Sequence, residues 1–281
     1  MKKIFTYTLI ITLSTFSLTG SNNSNINQTN QKSFKIYKEK FKNNIYIVTA
    51  ESGLIIREKP SLEEKRIGSI PFGSKIDVLE KTNVKLTIRD NGKETKGNWV
   101  KIKTYKHPYY YAEGIEFGYV FNGFLKNEAE FILELENKMQ KYPEFQNYEI
   151  VKENNPFVLN GDFFGDNIKD IVLKIKNFKI ITLGFIDYKK NGKEKVVIIN
   201  KENLSDEALN FGWTERFETV SKNINLWPKN EDMSNINVNF KYPDNKKFVL
   251  DYNALYGHNL ESCGGGYIFW YNNKFHTITG D

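Results

Sequence analysis

Turn sequences recur at short, regular intervals between residues 53 and 125, and this spacing is the strongest constraint that the sequence places on the fold. They are Pro60-Ser61, Pro71-Phe72-Gly73 and Asp90-Asn91-Gly92. Proline presets φ, and glycine or asparagine tolerates positive φ, so each of these sequences can reverse the chain. The apolar residues between them alternate with polar ones or flank the turns, which is typical of short strands with one buried face. We therefore predict a small all-β barrel, closed or nearly closed.

Two sequence motifs in this segment resemble those of a known family. The first runs from Gly53-Leu54-Ile55-Ile56-Arg57 through Arg66 to Leu79, and the second is Asn98-Trp99-Val100-Lys101-Ile102, closing with Gly118-Tyr119-Val120-Phe121. In this order they resemble the bacterial SH3-like domain (SH3b), an exported module of cell-envelope proteins. The resemblance implies an SH3-like barrel over residues 42–126 that binds peptide or peptidoglycan. Residues 103–117 depart from it, because the family has a shorter hairpin there.

The N-terminus has the parts of a secretory signal. Met1-Lys2-Lys3 is cationic, residues 4–16 are uncharged and mostly apolar or hydroxyl-bearing, and a polar stretch begins at Ser21. We predict a signal peptide over residues 1–20 and a disordered tether, rich in Asn, Gln and Lys, over residues 21–41. The uncharged run is shorter than the roughly 20 residues that a spanning helix needs. The mature chain is therefore expected without a membrane span, in the periplasm, the envelope or the medium.

Residues 16–21 also resemble the lipobox of bacterial lipoproteins, but Ser21 stands where the lipidated cysteine would be. A hydroxyl cannot replace that thiol. The sequence leaves two alternatives open: an ordinary secretory precursor, or a lipoprotein whose acceptor has been altered.

The charge and the cysteine content exclude several classes of function. The net charge is +6, and basic and acidic residues are interspersed along the chain. This pattern does not indicate a nucleic-acid-binding surface, and at most it favours binding to an anionic envelope polymer. Cys263 is the only cysteine, so no intrachain disulfide can form. It lies near the C-terminus with only His276 after it, which leaves no room for a cysteine-peptidase domain. We expect a non-enzymatic protein without a cofactor.

Residues 127–281 are predicted to form an α+β domain of unknown role with a mainly antiparallel sheet. Asn127 can cap a helix that ends before Pro143. The apolar residues on one face of this helix are Phe131, Ile132, Leu135 and Met139. Strands are expected at Ile171 to Ile175, Ile180 to Tyr188, Lys195 to Ile199 and Phe248 to Asn253. A C-terminal hairpin is expected over residues 267–275.

The loop at residues 160–170 resembles the calcium loop of FG-GAP-type repeats. Asp162, Asp166 and Asp170 match side-chain ligand positions, and such loops deliver oxygen ligands by alternation. Phe164 replaces a ligand with a side chain that has no oxygen, and Asn167 replaces a glycine while tolerating the left-handed conformation. The alternative is a calcium-free turn in which the aspartates accept hydrogen bonds from backbone N–H groups.

The inserted segment of the barrel is the predicted ligand-binding loop. Tyr105, His107, Tyr109 and Tyr111 combine flat aromatic faces with polar tips, which suits sugar rings and carboxylates. Packing of these tyrosines against the barrel is the alternative.

The sequence as a whole predicts an exported, non-enzymatic cell-envelope protein whose partner is a cell-wall polymer or an envelope peptide. Two other functions remain open. One is an envelope hydrolase or inhibitor with its site around Asp162, Asp166, Asp170 and Glu261. The other is a calcium-stabilised adhesion module.

Overall fold

The computed structural model describes residues 44–90, 92–104, 115–178, 180–200, 210–226, 248–259 and 265–280. The predicted signal peptide and tether, the loop from Tyr105 to Tyr111, Glu261 and Cys263 lie outside the described residues. Residues Lys42–Asp281 belong to one compact unit.

The first part of this unit is a curled antiparallel sheet, as predicted for a small barrel. Its strand order is β3-β2-β6-β5-β4-β1-β7. The strands are β1 (Ile45–Val48), β2 (Leu54–Arg57), β3 (Arg66–Ile70), β4 (Lys75–Asp90), β5 (Lys93–Lys103), β6 (Phe117–Phe121) and β7 (Leu125–Asn127). The sheet encloses the alternating apolar residues that marked the strands in the sequence, including Leu54, Ile56, Ile67, Ile70, Ile76 and Val78. The turn at Gly53 adopts φ +83°, which confirms that glycine is needed there.

The β4–β5 hairpin is longer than the barrel. Its proximal part pairs with β1 and β6, whereas from Lys85↔Asn98 to Asp90↔Lys93 its two strands pair with each other. We call residues 85–98 the arm. No other strand among the described residues pairs with the arm.

Among the described residues, a helix and eleven strands follow β7. The helix α1 (Glu128–Met139) begins at Asn127, whose Oδ1 accepts a hydrogen bond from the N–H of Ala129 at 3.1 Å, as the capping prediction required. The strands are β8 (Glu149–Ile150), β9 (Val158–Gly161), β10 (Asp170–Lys176), β11 (Ile181–Tyr188), β12 (Glu194–Ile198), β13 (Arg216–Val220), β14 (Asn225–Leu226), β15 (Phe248–Val249), β16 (Ala254–His258), β17 (Gly265–Tyr271) and β18 (Lys274–Gly280). Short 3₁₀ turns lie at Asn122–Phe124, Pro143–Phe145 and Phe211–Trp213.

These strands form antiparallel sheets, which confirms the predicted fold class. One sheet has the order β12-β11-β10-β8, with β9 also paired to β10, a second has the order β13-β16-β17-β18, and β14 pairs with β15. The strand expected over residues 248–253 is shorter, because β15 ends at Val249 and β16 begins at Ala254. The C-terminal hairpin turns at Asn272 and Asn273, both with positive φ.

Among the described residues, two large buried cores, beside a smaller one that includes Leu250 and Phe269, hold the second half of the chain in place. One lies under α1, where Ile132, Leu135 and Met139 pack with Leu173 of β10 and with Ile47 of the barrel. The other lies between the two larger sheets and is rich in phenylalanine, including Phe163, Phe185, Phe211, Phe217 and Phe275. Since Ile47 belongs to the first core, the barrel and the second half share buried apolar surface.

Polar contacts fix the same junction. Lys75 Nζ lies 2.7 Å from Glu128 Oε1, and Glu128 is 4% exposed. The backbone N–H of Lys75 donates to Asn155 Oδ1 at 2.8 Å, and Asn155 Nδ2 donates to the Lys75 carbonyl at 3.2 Å. At Gly73, where φ is +76°, a Cβ would lie 1.8 Å from the carbonyl oxygen of Val158. Only glycine allows the two backbones to approach this closely.

Candidate functional site

A groove of about 1050 Å³ lies between the arm and the barrel. Its apolar lining comes from both sides: Leu86 and Ile88 from the arm, and Trp99, Phe121 and Phe124 from the barrel. Trp99 and Phe121 are each 3% exposed, so they form a packed base rather than a mobile wall.

Close packing at the base of the arm shapes this groove. A Cβ on Gly97 would lie 2.4 Å from Asn122 Oδ1 and 2.8 Å from the ring of Phe121. Asn122 Oδ1 accepts a hydrogen bond from the N–H of Asn98 at 2.7 Å. The rings of Phe121 and Phe124 meet edge to face at 5.6 Å. The arm is therefore fastened to the turn that follows β6, and the groove is formed before any ligand arrives.

The rim of the groove carries a surplus of positive charge. Its acidic residues are Glu51 and Glu94, and its basic residues are Arg57, Arg89, Lys93, Lys96 and Lys169. Five cations against two carboxylates leave a net charge of +3 along the groove.

Part of this charge is internally paired. Glu94 forms ion pairs with Arg89 at 3.4 Å and with Lys96 at 3.0 Å. Lys169 Nζ lies 3.6 Å from Glu51 Oε2. Arg57 is almost buried, and its Nη1 donates to the carbonyl of Glu64 at 2.6 Å. Burial, together with the charge of Arg66, holds the pKa of Arg57 below its ordinary value. Because one carboxylate serves two cations at the tip of the arm, that end can still attract an anion.

The predicted ligand loop, with Tyr105, His107, Tyr109 and Tyr111, lies outside the described residues, but its ends are described. The N–H of Thr104 donates to the Glu116 carbonyl at 3.0 Å, and the Thr104 hydroxyl donates to the carbonyl of Ile115. The groove adjoins the Trp99↔Phe121 pair of the β5–β6 ladder, whereas the loop leaves beyond the Lys103↔Phe117 pair. At about 3.3 Å per residue these positions lie roughly 13 Å apart along the strands.

The aspartate side chains of the loop at residues 160–170 accept hydrogen bonds from backbone N–H groups. Asp162 Oδ1 accepts the N–H groups of Gly165 and Asp166 at 2.7 and 3.1 Å, and its Oδ2 accepts that of Asn167 at 3.0 Å. Asn167 has φ 63°, so the left-handed turn expected at this position is present. The hydrogen bonding is that of the calcium-free alternative. In the described part of the chain no group of three or more His, Cys, Asp or Glu side chains could hold a metal ion.

Asp170 is the buried member of the loop, with 0% exposure. Its Oδ2 accepts the N–H of Phe163 at 2.9 Å and its Oδ1 that of Tyr188 at 3.1 Å. Burial raises the pKa of Asp170 to about 7; the two N–H groups lower it, and the carboxylates of Asp187 and Asp166 raise it further. Asp170 therefore closes the loop from inside and does not face a cleft.

Phe164 occupies the position where a calcium loop would present an oxygen. Its ring packs on Phe185 at 5.6 Å and on Trp270 at 5.1 Å. This residue joins the core between the two sheets instead of pointing towards the aspartates.

Comparison with protein families identifies the barrel. The bacterial SH3 domain family matches residues 52–126. The predicted SH3b resemblance is therefore confirmed for this part of the chain. Such domains often serve as cell-wall or peptidoglycan binding modules and occur in exported or envelope proteins. Comparisons with curated proteins and with solved structures give no match.

Sequence reasoning placed the ligand site on the tyrosine loop, which stays a prediction, and did not predict the groove. A signal for the groove is present in the sequence: Leu86 and Ile88 alternate on the arm, and Arg89, Lys93 and Lys96 surround the Asp90-Asn91-Gly92 turn.

None of the helices in the described ranges is long and apolar enough to cross a membrane.

Proposed function

We propose that this chain is an exported, non-enzymatic cell-envelope protein whose SH3 domain binds an anionic cell-wall polymer in the groove between arm and barrel. The observation that carries the proposal is the combination of an apolar arm wall at Leu86 and Ile88, over the buried base at Trp99, with a net lining charge of +3. The family match supports the binding role and the signal-like residues 1–20 support export.

Shape and charge favour a polymer over a small ligand. The groove is lined by arm residues between Leu86 and Lys96 and is open to solvent, so an extended chain can lie in it. Apolar and aromatic surface takes the carbon face of a sugar or a peptide side chain, and the basic rim takes carboxylates or phosphates. Peptidoglycan carries sugar rings, peptide side chains and carboxylates, and it is the polymer that we propose.

Binding of the full chain to purified peptidoglycan sacculi, measured by co-sedimentation, tests the proposal. Replacing Lys93 and Lys96 by Gln removes two rim charges and is expected to weaken binding roughly five- to thirtyfold at low salt. The matched control replaces Lys81 and Lys85 by Gln, which removes the same charge from the same hairpin at exposed positions outside the groove. Equal losses in both variants would refute the groove as the site.

Export has its own test. Processing at the predicted signal peptide should give a mature chain that begins near Ser21 and is recovered from the periplasm or the medium. N-terminal sequencing of the recovered protein measures this, and full-length protein in the cytosol would contradict it.

A further inference from the structure

A second hollow, of about 420 Å³, lies where the barrel meets the second half of the chain. The barrel contributes residues 51–53 and 69–72, and the second half contributes residues 159–161, Thr219 and Asn253 among others. We call it the junction hollow. Its volume lies within the range of small-molecule sites, about 300–1,000 Å³.

The junction hollow adjoins the groove. Glu51, Ser52, Gly53 and Lys169 line both of them. At this shared edge, Lys169 Nζ and Asn160 Nδ2 both donate to the carbonyl of Glu51, at 2.9 and 3.1 Å. Two side chains of the second half thus hold the barrel loop that separates the hollow from the groove.

The walls of the junction hollow are held in fixed positions. Thr219 Oγ1 donates to the carbonyl of Asn160 at 3.0 Å, which ties β13 to β9. Asn253 Oδ1 accepts the N–H of Asp162 at 2.8 Å, and its Nδ2 donates to the Val220 carbonyl at 3.1 Å. These bonds fix the wall that the second half contributes, and the contacts of Lys75 and of the Glu51 carbonyl described above hold that wall against the barrel. A preformed site loses less free energy on ordering than a flexible one.

The chemistry of the junction hollow differs from that of the groove. Its charged residues are Lys169, Glu51 and Glu218, so the positive surplus of the groove is absent. The remaining lining includes apolar rings and small polar groups: Pro71, Phe72 and Pro156, and Ser52, Ser69 and Ser221. Hydroxyl and amide groups beside flat apolar surface suit an uncharged, hydroxyl-rich unit such as a sugar ring.

We infer that the binding surface is bipartite: the junction hollow holds an uncharged sugar section of the same polysaccharide whose anionic groups lie in the groove. This inference rests on the proposed function and adds that the second half of the chain supplies part of the site. The second half then has a role in recognition as well as in supporting the barrel.

Filling the junction hollow tests this inference without a change of charge. Ser69 is exposed on β3 and lines the hollow but not the groove, so Ser69→Trp places a large ring in the hollow. The control is Thr87→Trp, an exposed position on the arm that lines neither. Both variants of the full chain are measured by co-sedimentation with sacculi, with thermal unfolding to verify the fold.

The inference predicts that Ser69→Trp weakens binding to sacculi about tenfold, the loss expected for one sugar contact region, while Thr87→Trp binds as wild type does. Should Ser69→Trp fail to fold, Ser221→Trp fills the hollow from the opposite wall and is expected to have the same effect. Wild-type binding with no loss in the folded hollow variants overturns the inference and leaves the proposed function intact. Absence of binding by the wild type overturns both.

Discussion

Replacing Asp170 by Asn is expected to change how the stability of the protein depends on pH. Burial raises the pKa of this carboxyl from its ordinary 3.8 to about 7 in the folded chain. Between those values the folded state holds a proton that the unfolded state has released, so the free energy of unfolding of the wild type falls as pH rises. The fall is complete above about pH 7, where both states are ionised.

The size of this effect follows from the two pKa values. Each unit of difference corresponds to about 1.4 kcal/mol, so roughly three units give up to about 4 kcal/mol. An asparagine at position 170 does not titrate, and its Oδ1 can still accept one of the two N–H groups, from Phe163 or Tyr188. The variant therefore carries a penalty that does not vary with pH.

Urea unfolding of wild type and Asp170→Asn at each pH from 4 to 8 measures the effect as a difference, which cancels groups common to both proteins. We expect the stability of the wild type relative to the variant to decrease by up to about 4 kcal/mol between pH 4 and pH 7. A difference that is flat, or that increases with pH, would refute the reasoning. It would show that the N–H groups of Phe163 and Tyr188 keep Asp170 ionised despite its burial.

Three further predictions concern the stability of the barrel, calcium binding and the inserted tyrosine loop. Trp99→Ala removes a side chain that is 3% exposed and should lower the free energy of unfolding by about 3–5 kcal/mol, measured by chemical denaturation; a loss below about 1 kcal/mol would contradict its role in the core. EDTA should leave the melting temperature unchanged, because the carboxylates of Asp162 and Asp170 accept hydrogen bonds from backbone N–H groups. A rise of several degrees on adding calcium would show that the loop binds calcium. If the inserted loop also contacts the polymer, Tyr109→Ala with Tyr111→Ala should lower affinity for sacculi by roughly tenfold without unfolding the chain, whereas wild-type affinity would confine binding to the groove and the junction hollow.

The barrel was predictable because its strands are defined by local chemistry. Gly53 and Gly73 need positive φ, Asp90-Asn91-Gly92 turns the long hairpin, and the alternating Ile and Val residues fill one core. The helix start at Asn127 and the left-handed Asn167 were predictable for the same reason. Each depends on a few neighbouring residues and on no distant partner.

The groove and the junction were not predictable in this way, since they depend on contacts between distant segments. The groove exists because Gly97 on the arm lets Asn122 approach, and the junction exists because Lys75 of β4 reaches Glu128 and Asn155. Nothing in the local sequence of Lys75 distinguishes it from the exposed lysines of the same strand. Only the fold shows that its partners lie in the second half of the chain.

The salt dependence of polymer binding tests the central claim most directly. If the basic rim of the groove contacts anionic groups, the affinity of the wild type for sacculi decreases as ionic strength rises, because exposed charges are screened beyond about 10 Å at 0.1 M salt. The variant with Lys93 and Lys96 replaced by Gln should bind more weakly at low salt and show a shallower decrease, while the Lys81 and Lys85 control should follow the wild type. Wild-type and Lys93/Lys96 curves that differ in neither affinity nor slope would contradict the groove as the binding site.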